Sequence, residues 1–175
     1  VMLILAGCPA WLAIIIAMLA GLVAGSVTGF LHTLLGIPAI LAGILTQFAL
    51  YSINLHIMGM AANKALSVDK YGIFLKNSGG MILSSRFVPL AIAVGVVFAI
   101  IIVCILYWYF GTEQGSALRA TGCNPIMAKA QGININFMKV LGLAISNALV
   151  AMAGGLMAQY QGFADINMGR GSIVI

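Results

Sequence analysis

Charged side chains are scarce in this chain of 175 residues, since Asp, Glu, Lys and Arg together make up only 6% of it. An ordinary soluble domain is excluded, because about a quarter of its residues would be charged. Disorder is excluded as well, because 63% of the residues are hydrophobic and disordered chains are not. The eight Lys and Arg residues are dispersed among apolar runs and cannot form the basic stripe of a nucleic-acid-binding protein. An integral membrane protein remains.

Sequence motifs for catalysis, metals and cofactors are also missing. There is no GxxxxGK[ST] phosphate-binding loop, so we do not expect this chain to bind or hydrolyse ATP. GxSxG, HExxH and paired carboxylates are absent too, which argues against an enzyme. The three cysteines, Cys8, Cys104 and Cys123, have no CxxC or histidine spacing, which argues against a disulfide framework and a zinc site. We therefore expect no catalytic residue, no metal and no cofactor.

The few charges lie in three parts of the chain, 64–86, 113–139 and 165–170, and the tracts outside these parts are uncharged. These tracts cover roughly 11–34, 38–58, 88–110 and 140–161, each about as long as the ~20 residues that a membrane-crossing helix needs. The sequence predicts an all-α, polytopic transmembrane helical bundle with four complete spans. Buried helices of a large soluble protein would be shorter and less uniformly apolar. We also predict that residues 1–175 form a single membrane domain truncated at both ends, because apolar residues flank the outermost spans.

Glycine spacing indicates where the spans pack. Gly21, Gly25 and Gly29 form a double GxxxG pattern on one face of the first span, which lets another helix backbone approach closely. Packing is the favoured interpretation, and a moving helix interface is the alternative. The same interpretation extends to Gly36, Gly43, Gly154 and Gly155. The short link before Pro38 predicts an antiparallel hairpin of the first two spans.

The segment 111–139 contains signals for one short helix. Asn124 is a good N-cap, Pro125 fits the first helical position, and Gly132 can end the helix in the left-handed conformation. The signals predict a helix over about 125–131 enclosed in a loop. Because such a short helix is not stable alone, it must dock against something. The other long loop, 59–87, has a Ser-Gly-Gly turn at 78–80 and is long enough to carry structure of its own.

The run LRATGCNP at 118–125, followed by Ala128 and GIN at 132–134, resembles the pattern RAxGxNxxxAxxxGIN. This pattern is typical of the cytoplasmic loop of permease subunits in bacterial ABC importers of the branched-chain amino acid and ribose or simple-sugar type. The stretch GLVAGSVTGFLHTLLGIPAILAGILT at 21–46 and the later glycine pair are also similar to this family. The likeness covers most of the chain.

The resemblance implies that the short helix is a coupling helix, which docks in a groove of a separate ATPase subunit. The residues carried over are Arg119, Gly122, Asn124, Pro125, Ala128, Gly132 and Asn134. For each of them a purely local turn or cap is the alternative. The implied partners are that ATPase, a second permease chain, an extracytoplasmic solute-binding protein and lipid of the bacterial cytoplasmic membrane. The positive-inside rule weakly favours the opposite orientation, because loop 59–87 has four Lys and Arg and segment 111–139 has three.

A pathway for a small polar solute needs polar groups within the spans. The spans contain no Asp, Glu or Lys, which counts against coupling to protons or sodium. Thr46, Gln47, Asn54 and Asn147 are the candidate pathway residues, and helix packing is the alternative for them. Further polar candidates are Ser52, Ser146, Gln159 and Gln161, whereas His32 and His56 near span ends favour structural roles. A transporter or channel that works without an ATPase is the alternative function.

Overall fold

The structure is a computed structural model and describes residues 2–65 and 88–167, with side chains described for all of these except 88–94 and Tyr160. The helices are α1 (Met2–Leu5), α2 (Ala10–Leu34), α3 (Ala39–Ile57), α4 (Val88–Gly111), α5 (Glu113–Cys123), α6 (Pro125–Ala130) and α7 (Ile135–Gln161). Two short strands, β1 (Asn63–Ala65) and β2 (Phe163–Asp165), complete the described elements. The predicted turn at 78–80 lies outside the described residues.

Three helices of the described ranges, α2, α3 and α7, are each long and apolar enough to cross a membrane. The fourth predicted span coincides with α4, whose segment Gly95–Gly111 forms a bent pair with α5. The all-α polytopic bundle is thereby confirmed. The last span was placed too late, because α7 begins at Ile135 and not at 140. Asn134 caps it there, accepting a hydrogen bond from Phe137 N at 3.2 Å, and Lys139 lies within the helix.

The main helix contact is between α2 and α7, which run antiparallel. Gly21, Gly25 and Gly29 are buried at this contact. A Cβ on Gly25 would lie 2.5 Å from Leu143 O, and one on Gly29 would lie 2.8 Å from Val140 Cα. These distances leave no room for a side chain, so the backbones of the two helices touch along the glycine face. Close van der Waals packing of this kind holds helices together in lipid, where the hydrophobic effect does not.

The other glycines do not share this role. A Cβ on Gly36, Gly43 or Gly154 would meet no described atom within 4 Å, and one on Gly155 would make only an ordinary 3.7 Å contact with Ala17. The described residues therefore show no packing contact for the first three, and packing at these glycines stays a prediction. Gly36 instead has a φ of +66° in the turn between α2 and α3, a conformation that glycine adopts without steric cost.

The α2–α3 hairpin is held by polar contacts near its turn. Thr28 Oγ1 donates to Thr46 Oγ1 at 2.9 Å, and His32 Nδ1 lies 2.8 Å from Ile37 O. The histidine thus has the structural role that was favoured for it. Little of α3 is buried by the other described residues, so most of this helix faces outward.

The helix directions define two ends of the bundle. The first, here called the strand end, contains β1 and β2, which pair antiparallel with Lys64 opposite Ala164, together with the start of α2 and the last turns of α3 and α7. The second, here called the elbow end, contains α5 and α6. Part of loop 59–87 therefore has structure of its own, while 66–87 lie outside the described residues.

Candidate functional site at the elbow end

The chain bends by 81° between α4 and α5, and we call this bend the elbow. Thr112 forms it with an extended backbone at φ −78° and ψ 166°. Its Oγ1 donates to Tyr109 O at 2.6 Å and accepts from Gly115 N at 3.4 Å. The hydroxyl thus satisfies a carbonyl at the end of one helix and an amide at the start of the next, groups that helix ends otherwise leave unpaired.

Gly115 lies at the tightest point of the elbow. A Cβ at this position would fall on Tyr109 O and would lie 2.5 Å from Phe110 Cα. The clash is with backbone, which cannot rotate away. Sequence reasoning missed both this residue and helix α5, since 111–124 was treated as loop. The available signal was Thr112 followed by Glu113, an N-cap with an acidic residue in the first turn.

Arg119 ties α5 back to α4. Its Nη2 donates to Phe110 O at 2.6 Å, and its guanidinium carbon lies 5.4 Å from the centre of the Phe110 ring. The bond pairs one of the carbonyls at the end of α4, and the ring adds a cation–π contact. Arg119 is exposed, yet it acts inside its own chain. The resemblance implied that Arg119 belongs to the coupling loop, with a purely local role as the alternative.

The short helix α6 is capped at both ends. Asn124 Oδ1 accepts from Ile126 N and Met127 N, both at 3.1 Å, and Pro125 occupies the first position. At the other end, Ile133 N donates to Ala128 O and Gly132 N to Lys129 O, with Gly132 at φ +81°. This is the Schellman arrangement. The helix ends at Ala130, one residue earlier than predicted, because Gln131 is its C-cap.

The two faces of α6 differ. Ala128 is only 3% exposed, and it packs the helix against the bundle. Ile126 and Met127 are 81% and 60% exposed, and Lys129 is exposed beside them. A cavity of about 470 Å³ lies between α6 and the start of α7, lined in part by Pro125 and Lys139. The helix therefore presents an apolar pair with a cation, held at a fixed position.

The elbow end brings together the residues carried over from the resemblance. Arg119 and Gly122 lie on α5, Asn124, Pro125 and Ala128 belong to the start and the buried face of α6, and Gly132 and Asn134 connect α6 to α7. A Cβ on Gly122 would meet no described atom within 4 Å, so the local structure does not require glycine there.

The four candidate pathway residues are not gathered in the same way. Thr46 is buried, and its hydroxyl is used at the α2–α3 contact. Asn147 Nδ2 donates to Leu143 O at 3.0 Å, beside Gly25 on α2. Gln47 and Asn54 are exposed on α3. The strand end contains a cavity of about 540 Å³, and of the four residues only Asn54 lines it.

We expect Gly115→Ala to lower the free energy of unfolding of the full-length protein by about 1–3 kcal/mol, because the new methyl group meets backbone. Gly122→Ala is the matched control on the same helix. There the open space makes alanine neutral or slightly stabilising, since glycine inside a helix costs roughly 0.5–1 kcal/mol relative to alanine. Thermal unfolding of the two purified variants measures the difference. Equal stability of both would contradict the close approach at the elbow.

The described helices define the class of protein, since α2, α3 and α7 are long and apolar enough to cross a membrane, as in a multi-pass membrane protein. In the described ranges no group of three His, Cys, Asp or Glu residues is placed to hold a metal. The chain belongs to the family described as branched-chain amino acid transport system, permease component, which matches residues 1–175. The predicted resemblance is confirmed.

Three curated relatives are similar to most of the chain. The tyrosine transport system permease protein of Clostridioides difficile is 41% identical over 93% of this chain and 51% of its own length. The protein RP368 of Rickettsia prowazekii is 37% identical over 93% of this chain and 54% of its own. The autoinducer 2 import system permease protein LsrC of Yersinia pseudotuberculosis is 27% identical over 89% and 41%. The chain thus spans about half the length of these relatives. No solved structure matches it significantly.

Proposed function

We propose that this chain is the membrane-spanning part of a permease subunit in an ATP-binding cassette importer. It carries a small polar solute, an amino acid or a simple sugar, across the bacterial cytoplasmic membrane. The energy comes from ATP hydrolysis in a separate subunit. The observation that supports this proposal most is α6, a six-residue helix with both ends capped and its apolar pair exposed.

The argument for a partner at α6 is energetic. A helix of this length does not form stably by itself, and here two caps and the packing of Ala128 hold it in place. Ile126 and Met127 expose apolar side chains to water at the tip of α6, which is unfavourable, whereas an apolar groove in another protein would bury them. Lys129 adds a charge that can pair at the rim of such a groove. The ATPase subunit implied by the family is the partner that we assign to this surface.

The elbow makes α6 suitable for transmitting movement. Thr112, Gly115 and Arg119 fix the angle between α4 and α5, and α6 follows α5 after a single residue. A displacement of α6 would therefore rotate α4, because no flexible loop lies between the two helices. The glycine contact between α2 and α7 offers a second interface whose helices can shift against each other. Alternating access by these movements is the mechanism we propose.

The orientation follows from this assignment. The elbow end faces the cytoplasm and its ATPase, and the strand end faces the extracytoplasmic solute-binding protein. The outward face of α3 is available to the remaining spans of the subunit and to a second permease chain. The predicted pathway residues remain Thr46, Gln47, Asn54 and Asn147. Asn54 lies at the strand end, where the solute would enter in this orientation.

Reconstitution in liposomes tests the proposal. The full-length permease is incorporated into the liposomes with or without its ATPase. The solute-binding protein is added outside, and ATP is supplied on the side of the membrane that carries the ATPase. Uptake of radiolabelled leucine, tyrosine and ribose is then measured. We expect uptake of at least one solute only when the ATPase and ATP are both present. Uptake at the same rate without the ATPase would overturn the importer assignment in favour of a transporter or channel that works alone.

A further inference from the structure

The cavity at the elbow end, between α6 and the start of α7, is positively charged. Its volume of about 470 Å³ is typical of small-molecule sites. Lys129 on α6 and Lys139 on α7 both line it, together with Asn134 and Asn136. None of the described residues in its walls is an Asp or a Glu. Two cations from different helices thus line one space with no carboxylate among its walls.

Neither lysine is neutralised by another described part of the chain. Lys129 and Lys139 are both exposed, and neither forms an ion pair with a described residue. Glu113 lies at the start of α5, and the 11 residues of that helix separate it from the start of α6 by about 16 Å, a distance at which salt screens exposed charges. Like charges that share a site repel each other, and an anion between them removes this cost. The cavity is therefore suited to an anionic group with several acceptor oxygens.

The cavity lies on a different face of α6 from the apolar pair. Pro125 and Lys129, which both line the cavity, are four residues apart, and residues with this spacing share one face of a helix. Ile126 and Met127 do not line it. An ATPase that covers the apolar pair therefore need not fill the cavity, and Lys129 lies at the border between the two surfaces.

The length of α7 places the cavity at the level of the lipid headgroups. The helix has 27 residues and is about 40 Å long at 1.5 Å per residue, whereas the hydrocarbon core of a bilayer is about 30 Å thick. The first turn of α7 therefore extends into the headgroup layer. Lys139 is the fifth residue of the helix. Because helical side chains tilt toward the N-terminus and a lysine stem can cross apolar surface, its ammonium group reaches the same layer.

We infer that this cavity binds the phosphate of an anionic phospholipid from the leaflet on the elbow side. Lys129 and Lys139 pair with the phosphate oxygens, and the side-chain amide of Asn136 donates a further hydrogen bond. Basic pockets beside membrane spans are suited to anionic headgroups. The acyl chains extend along α7, where Phe137 is 53% exposed. The inference goes beyond the proposed function, because it depends on the depth of α7 in the membrane and not on the source of energy.

Binding is measured on the purified, delipidated full-length permease in detergent. The probe is fluorescently labelled phosphatidylglycerol, and phosphatidylcholine with the same label and acyl chains is the comparison. We expect phosphatidylglycerol to bind roughly tenfold more tightly or better, since two lysines attract its charge. Lys129→Gln and Lys139→Gln should each raise its Kd roughly fivefold, the loss expected for one lysine beside an anionic headgroup.

Two matched variants and a soluble competitor serve as controls. Lys64→Gln removes the same charge on β1 at the opposite end of the bundle, so its Kd should equal that of the wild type. Lys139→Arg keeps the charge and should also keep the affinity. Glycerol phosphate, which has the phosphate without acyl chains, should compete only at much higher concentrations than the lipid.

Three results would overturn the inference. Phosphatidylcholine that binds as tightly as phosphatidylglycerol would show that the site does not recognise charge. Glycerol phosphate that competes as well as the lipid would indicate a site for a soluble phosphate. If Lys139→Gln leaves the Kd for phosphatidylglycerol unchanged and instead weakens binding of the ATPase, an acidic side chain of that subunit occupies the cavity. Both lysines are exposed, so these variants should fold like the wild type.

Discussion

Ile126→Asp is expected to abolish solute-stimulated ATP hydrolysis by the assembled transporter while the permease stays folded and inserted. The side chain is 81% exposed at the tip of α6, so the change removes no described packing contact. In the proposed complex the same side chain lies in an apolar groove of the ATPase. A carboxylate buried there without a partner costs several kcal/mol, enough to make the docked complex a minor population. Stimulation of ATP hydrolysis over a range of solute concentrations is the measurement.

The control is Gln114→Asp, which adds the same charge at an exposed position of α5. An acidic residue in the first turn of a helix is favourable, so this variant should be stimulated like the wild type. A second variant, Gly132→Val, should also lose stimulation, because valine is strained at the φ of +81°. Full stimulation of Ile126→Asp would show that α6 does not dock the ATPase.

Gly25→Val is expected to have the largest effect on stability of the changes considered. The first added carbon would lie 2.5 Å from Leu143 O and 2.8 Å from Ala144 Cα. Because the obstructing atoms are backbone, α2 and α7 must move apart along their length. We expect a loss of about 3 kcal/mol in the free energy of unfolding, the upper end of the range for overpacking. Thermal unfolding and size-exclusion chromatography of the purified protein would measure it.

Gly43→Val serves as the comparison, since it adds the same side chain inside a spanning helix at a position where a Cβ would meet no described atom within 4 Å. It should change stability far less than Gly25→Val. If both variants lose the same stability, glycine content and not the close α2–α7 contact would determine the effect.

Local signals in the sequence determined a large part of the fold. The absence of charge over about 20 residues defines a span, because each unpaired charge in hydrocarbon is expensive. The ends of α6 could be predicted equally well, since Asn124 and Gly132 act on amides and carbonyls within a few residues of themselves. The span start at 140 was wrong for a related reason, because charge alone does not mark where a capped helix begins.

The tertiary structure decided what depends on contacts between distant parts of the chain. Gly115 and Gly122 lie on the same helix, α5, yet only Gly115 has described backbone within reach of a side chain. Gly25 and Gly43 differ in the same way. Arg119 could have faced a partner, and only the position of Phe110 O shows that it holds the elbow.

The cavity at the strand end shows most clearly which features the sequence determines and which depend on the tertiary structure. The sequence alone predicted an all-α membrane protein and a capped helix, because composition and capping act over a few residues. It could not bring Lys64, Asn54 and Gln159 to one cavity, since their positions depend on how α3, β1 and α7 pack. Close approach across long sequence separations is a property of the whole fold, and the hydrogen bond from Gln159 Nε2 to Ala10 O is visible only once that fold is known.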